Sequence, residues 1–153
     1  YSPSAVGEVN VVNEMKAKHA VLGGEGNGGI ILPELHYGRD ALVGIALALT
    51  HLTKSGKTMS ELRSGFPQYY MAKQKIELTP GLDVDGILAT IAGRYSDEEF
   101  STIDGIKITW SDRWVHLRKS NTEPIIRIYT EAPSTEEATI LGERFMKEIE
   151  ELA

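Results

Sequence analysis

No cysteine occurs among the 153 residues. That excludes a disulfide framework and any thiolate metal site, and it is compatible with a reducing cytosol. Long apolar runs are missing too. The longest, residues 41–49, falls well short of the roughly 20 apolar residues that cross a bilayer. No basic start leads into an apolar stretch, so no signal peptide is read, and a first residue of Tyr1 suggests a fragment or processed piece. Positive charge is scarce: the net charge is −6, all of it in the second half. Residues 1–66 hold six acids and six Lys or Arg, whereas residues 67–153 hold sixteen and ten. An acidic second half argues against a nucleic-acid backbone as the main partner. So does the lack of a visible basic–aromatic alternation. A single small phosphate needs only a local cluster of donors and is not excluded.

What is present suits a folded protein. Hydrophobic residues make up 41% and charged residues 25%, enough for a core in one ordinary domain or two small ones. Residues 6–18 read as a helix, with Val9, Val12 and Met15 at helical spacing. Residues 19–22 are a short strand candidate leading into a glycine run at 23–29, and Ile30-Ile31-Leu32-Pro33 comes next as another. Residues 39–54 give the strongest helix, with Asp40 at its start and Gly56 past its end. It is apolar nearly all round, which predicts a buried helix. Thr58-Met59-Ser60-Glu61 reads as a capping box, and Phe66-Pro67-Gln68 as a linker that would permit rotation of the second half of the chain.

After residue 67 the pattern changes. A strand at 70–78, a helix at 83–95, strands at 103–110, 114–119 and 125–131, and a final helix opened by Ser134 predict β-α-β-β-β-α. The expected fold is therefore mixed: a partial α/β layer over 1–66 with too few strands to cover its helix, then an α+β unit over 67–153. In the second unit the helices lie on one face of an antiparallel sheet.

Two loops carry candidate chemistry. Gly24-Glu25-Gly26-Asn27-Gly28-Gly29 matches G-x-G-x-x-G. A strand comes after it in place of a helix, and no acid stands about 20 residues on, so a dinucleotide fingerprint is rejected. A tight turn needs one or two glycines, and residues 23–29 hold five. The excess would let a ligand approach the backbone, with Glu25 as the charged group at the tip and its carboxylate suited to sugar hydroxyls. The second loop is Arg118-Lys119-Ser120-Asn121-Thr122-Glu123-Pro124, with Arg127 beyond it. Guanidinium groups, hydroxyls, an amide and loop N–H groups are what a phosphate needs. An ordinary hairpin whose arginines pair with Glu123, Glu131 or Asp112 remains the plainer alternative.

The remaining titratable groups read as structural. Histidines 19, 36, 51 and 116 show no metal-ligand spacing, and His51 reads as packed or capping. The stretch His36-Tyr37-Gly38-Arg39-Asp40 could line a site or simply start a helix. Asp83-Val84-Asp85-Gly86 lacks the further ligands of a calcium loop and reads as a helix N-terminus.

The two loops, in this order and about 90 residues apart, resemble the C-terminal part of the α-D-phosphohexomutases over essentially the whole chain. That family includes the phosphoglucomutases, phosphomannomutases and phosphoglucosamine mutases. The glycine loop with its adjoining ILPE and HYGRDAL resembles the family's sugar-binding region, and RKSNTEP with IIR its phosphate-binding loop. The resemblance implies that 1–66 is the end of a third domain and 67–153 a whole fourth domain. It implies reversible phosphoryl transfer between the 1- and 6-positions of a hexose in the cytoplasm. A phosphoserine in a first domain would donate the phosphoryl group, and magnesium on clustered aspartates in a second would assist. Neither of those two elements is in this chain, so no catalytic residue and no metal ligand is assigned here, and the piece alone is expected to be inactive. Its implied partners are a hexose phosphate and the preceding mutase domains, with neither nucleic acid nor membrane. By motif, Glu25 and Asn27 would hold the sugar. Arg118, Ser120, Asn121, Thr122 and Arg127 would hold the phosphate that is not reacting. Many members carry Ser and His where this loop has Asn27 and Gly29, which leaves open what assists Glu25. The Asn-Gly-Gly form looks more like archaeal-type mutases and some phosphoglucosamine mutases. A non-catalytic phosphosugar- or anion-binding module would use the same residues.

Overall fold

A computed structural model describes residues 1–79, 81–120 and 123–153. They form two compact units, Tyr1–Pro67 and Gln68–Ala153.

In the first unit, helix α1 (Glu8–Lys18) comes after Gly7, whose φ of 118° only glycine adopts without strain. Glu8 in its first turn and Lys16 and Lys18 in its last complement the helix dipole. The helix ends on His19 in the left-handed region, and the Ala20 N–H folds back to the Met15 carbonyl. Leaving the helix in this way uses up residues 19–22. The strand expected there falls instead at β1 (Gly23–Gly24), which pairs antiparallel with β2 (Ile30–Ile31). Met15 and Ile31 are the buried hydrophobic residues of this unit. Met15 lies so close to Gly23 that a Cβ there would overlap its sulfur. Helix α2 (Ala41–Ser55) is capped by Asp40, whose carboxylate accepts from the Leu42 and Val43 N–H groups at 2.8 and 3.0 Å. It packs on β2 through Gly44, where a Cβ would come within 3.1 Å of Ile30. Helix α3 (Met59–Ser64) opens with the capping box expected of Thr58 and Glu61.

The burial expected of α2 is not found. None of its residues is buried, and Leu42 is 77% exposed and Ile45 and Leu49 54% each. Two strands of two residues cannot cover a helix of 15.

The second unit is built on one antiparallel sheet in the order β3-β7-β6-β5-β4. Its strands are β3 (Tyr70–Glu77), β4 (Glu99–Ser101), β5 (Ile106–Thr109), β6 (Trp114–Lys119) and β7 (Ile125–Ala132). Helix α4 (Val84–Arg94) follows β3, and α5 (Thr135–Glu150) follows β7. The mixed fold class expected from the sequence holds, and β4 adds an edge strand that the pattern did not reveal. Alternation along β5, β6 and β7 sends Ile106, Ile108, Val115, Leu117, Ile126 and Ile128 to one face. There they meet Val84, Ile87, Leu88 and Ile91 of α4 and Leu141, Phe145 and Ile149 of α5 in one core. The buried Thr130 hydroxyl donates to the Ala138 carbonyl at 2.7 Å, which removes the cost of its burial. Ser134 caps α5 by accepting from the Glu137 N–H at 3.1 Å. Tyr95, at the end of α4, donates to Glu148 of α5 at 2.6 Å and accepts from Arg144 at 2.7 Å, and it stacks against Phe145. Burial, with the bond to Glu148, pushes its hydroxyl pKa up to about 12.

Candidate functional site

Antiparallel register decides which charges meet. In the β6–β7 ladder Arg118 is directly opposite Arg127, and in the β3–β7 ladder Arg127 is opposite Lys75. Opposed residues share a face. Three cations therefore form one row across three strands, on the face away from the helices and beside the loop that joins β6 to β7. Like charges set directly opposite one another destabilise a sheet. Here each has a carboxylate of its own. Arg118 Nη1 lies 3.1 Å from Asp104, Arg127 Nη2 2.9 Å from Glu123, and Lys75 Nζ 3.8 Å from Glu77. All three pairs are solvent-exposed to some degree, where such a pair contributes about 0–1 kcal/mol. An incoming phosphate could therefore exchange with these carboxylates at small cost. Asp104 is itself anchored, since its carbonyl is hydrogen-bonded by the His116 ring.

The loop is pinned at both ends. The Ser120 N–H donates to the Ile125 carbonyl at 2.9 Å, and the Pro124 carbonyl accepts from the Leu78 N–H at 2.8 Å. Asn121 and Thr122 lie outside the described residues. Lys75 and Arg127 of the row help to line an open depression of about 630 Å³, together with Lys73, Glu123 and Tyr129 and, from α5, Glu143 and Met146. Sequence reasoning found Arg118 and Arg127 but missed Lys75, Asp104 and His116. Alternation marks Lys75 as outward-facing, but only register puts it beside Arg127.

The same sheet face carries basic–aromatic neighbours that were not visible in the sequence. Lys73 sits 5.5 Å from the Tyr129 ring centre and Lys107 4.7 Å from that of Trp114. The ammonium groups lie over the ring faces.

In the first unit the glycine loop is a tight turn. Glu25 opens it: its carbonyl accepts from the Gly28 N–H at 3.0 Å, and its own N–H donates to the Gly29 carbonyl at 2.9 Å. Gly26 and Asn27 form the apex, so Glu25 stands at the base and not at the expected tip. Its side chain is only 14% exposed, and Oε2 accepts from Arg39 Nη1 at 3.4 Å. The Asn27 side-chain oxygen Oδ1 accepts from the Gly29 N–H at 3.0 Å, leaving the side-chain nitrogen Nδ2 without a partner among the described residues.

Most of the glycines have a structural reason. A Cβ at Gly24 would lie 2.5 Å from the Gly29 carbonyl oxygen, one at Gly29 2.6 Å from Arg39, and Gly28 has a φ of +94°. Gly26 has none: nothing lies within 4 Å of where its Cβ would be. Its missing side chain leaves open space at the apex beside Glu25 and Asn27. Past the loop, the Gly38 N–H donates to His36 Nδ1 at 3.0 Å, so Nε2 carries the proton directed at Asp40, 3.2 Å away. The Val43 N–H, and after it His36, hold the Asp40 carboxyl below its ordinary range. His36 therefore serves the start of α2.

Among the described residues no group of three or more His, Asp or Glu could hold a metal ion, and no helix is long and apolar enough to cross a membrane.

Comparison with known proteins bears on both units. Residues 2–70 match the model of the phosphoglucomutase/phosphomannomutase alpha/beta/alpha domain III, and residues 72–148 that of the phosphoglucomutase/phosphomannomutase C-terminal domain. A phosphoglucosamine/phosphogalactosamine mutase of Sulfurisphaera tokodaii is 39% identical over 95% of this chain. A phosphoglucomutase/phosphomannomutase of Thermococcus kodakarensis is 38% identical over 95%. The chain spans 32% of the length of each of these two relatives. Among solved structures, a phosphoglucomutase/phosphomannomutase family protein of Burkholderia thailandensis superposes with a TM-score of 0.72 at 22% identity. That match covers 96% of this chain and 31% of the other, and it shows the shared fold.

Proposed function

This chain belongs to the phosphoglucomutase/phosphomannomutase family, and from that membership we propose that it is the substrate-gripping C-terminal portion of a cytoplasmic phosphohexomutase. The reaction is the interconversion of a hexose 1-phosphate and its 6-phosphate. Residues 1–66 act as the end of the third domain and residues 67–153 as the fourth. The observation that carries this reading is the cation row Lys75–Arg127–Arg118 beside a pinned hydroxyl- and amide-bearing loop. Arg118 and Arg127 hold the phosphate that is not reacting, helped by Ser120, Asn121 and Thr122. Glu25 and Asn27 take sugar hydroxyls.

The chain's contribution is binding and orientation. Phosphoryl transfer depends heavily on positioning and on charge held ready for the phosphoryl oxygens. Asp104 and Glu123 pair with the two guanidinium groups until the incoming phosphate takes their place. Magnesium is expected on the preceding domains of such an enzyme, and no residue of this chain is assigned to it.

The test is calorimetric titration of the full-length protein with glucose, mannose and glucosamine 6-phosphates. Arg118→Ala is expected to weaken the tightest of them by about 1.5–3 kcal/mol, the scale of a hydrogen bond to a charged group. Unchanged affinity would sink the phosphate-loop assignment. Glu25→Gln is expected to weaken hexose phosphates and leave inorganic phosphate alone.

A further inference from the structure

We propose that Arg39 is the positioning residue for the Glu25 carboxylate, tethered from behind by Glu8; the inference rests on the reading of Glu25 as a sugar ligand. Arg39 stands just before α2, 14 residues from Glu25 and 31 from Glu8, so the fold alone brings the three together. Its backbone N–H donates to Glu8 Oε1 at 3.2 Å and its Nε to Glu8 Oε2 at 3.0 Å. Both oxygens of Glu8 are thus turned on one residue. The guanidinium is a planar fork, so fixing Nε fixes where Nη1 points. It points at Glu25 Oε2, 3.4 Å away. Glu25 Oε1 has no partner among the described residues. A carboxylate held by one oxygen keeps the other as a ready acceptor for a hydroxyl.

The loop itself is shaped around this arrangement. A Cβ at Gly29 would lie 2.6 Å from Arg39 Cδ and 3.3 Å from its Cγ. The aliphatic stem of Arg39 therefore runs along the Gly29 backbone, in the space any side chain there would take. The same residue that holds Glu25 also backs the far side of the turn whose apex is Gly26 and Asn27. Lysine cannot replace it, since one ammonium point charge cannot bond Glu8 through Nε and reach Glu25 through a second nitrogen.

The experiment uses the full-length enzyme and whichever of glucose, mannose and glucosamine 6-phosphates the wild type binds most tightly, with inorganic phosphate as the control ligand. Arg39→Ala and Arg39→Lys are both expected to raise KM about tenfold, the size of one charged hydrogen bond. kcat should move much less, and phosphate affinity should hold. In a Glu25→Gln background Arg39→Ala should add less than about twofold, because the group it positions is gone. Glu8→Gln should give an intermediate rise. Rescue by Arg39→Lys, full additivity with Glu25→Gln, or an equal loss for inorganic phosphate would each overturn the inference. A damaging Glu25→Gln beside a silent Arg39→Ala would overturn it alone and leave the sugar role of Glu25 standing. A silent Glu25→Gln would overturn both.

Discussion

The two units handle their apolar residues in opposite ways. In residues 68–153, α4 and α5 turn every strongly apolar position of their inner faces onto the sheet, and Ile91, Phe145 and Ile149 have no exposed surface. In residues 1–67, α2 is the most apolar helix of the chain, yet Leu42, Ile45, Leu47 and Leu49 face outward. The difference is one of supply. Five paired strands give the second unit a face broad enough for two helices, whereas the first has a single two-residue pairing. Apolar stability comes from area removed from water, so the two units should answer differently to the same kind of substitution.

The largest effect tests that contrast directly. Phe145→Ala removes a fully buried ring and should cost about 3–5 kcal/mol in urea unfolding. Leu42→Ala on the exposed face of α2 should change stability by no more than about 0.5 kcal/mol in this chain. Equal losses would break the comparison. A smaller effect sharpens the contrast between structural and ligand-facing glycines. Gly24→Ala should destabilise the first unit, because its Cβ would strike the Gly29 carbonyl. Gly26→Ala should leave melting unchanged yet weaken hexose phosphate binding by roughly 1 kcal/mol in the full-length protein, about fivefold. Unchanged binding would mean that the open space at the apex serves no ligand.

The smallest effect concerns the clasp between α4 and α5. Tyr95 ionises at about 12 in the folded protein, against about 10 for an unfolded tyrosine. A pKa raised on folding gives stability that is complete below pH 10 and lost as pH rises toward 12. Ultraviolet titration should show a tyrosine that ionises near 12, and Tyr95→Phe should remove that step. A Tyr95 that ionises near 10 would deny its burial together with the bond to Glu148.

The site was legible in part. Arg118 and Arg127 stood out as candidates because they flank a loop of hydroxyl, amide and N–H donors within ten residues of sequence. Lys75 did not, because its place beside Arg127 depends on β3 pairing with β7 across about fifty residues. Strand β4 was missed because Glu99-Phe100-Ser101 is too short to show alternation and becomes a strand only through its pairing with β5. A turn at 24–29 was foreseeable from its glycines, but neither the place of Glu25 at its base nor the partner of its carboxylate was.

What the sequence determined by itself is whatever acts over about four residues. Asp40, Thr58 and Ser134 cap helices because a side-chain oxygen reaches an N–H two or three residues on. The helical and alternating periods sort inner from outer faces. Tertiary structure decided the rest: which cation faces which, that Glu8 holds Arg39 and Arg39 holds Glu25, and that α2 lies uncovered. Those outcomes depend on register and packing between segments far apart in the chain, and a contact of that kind exists only once the backbone has closed the distance.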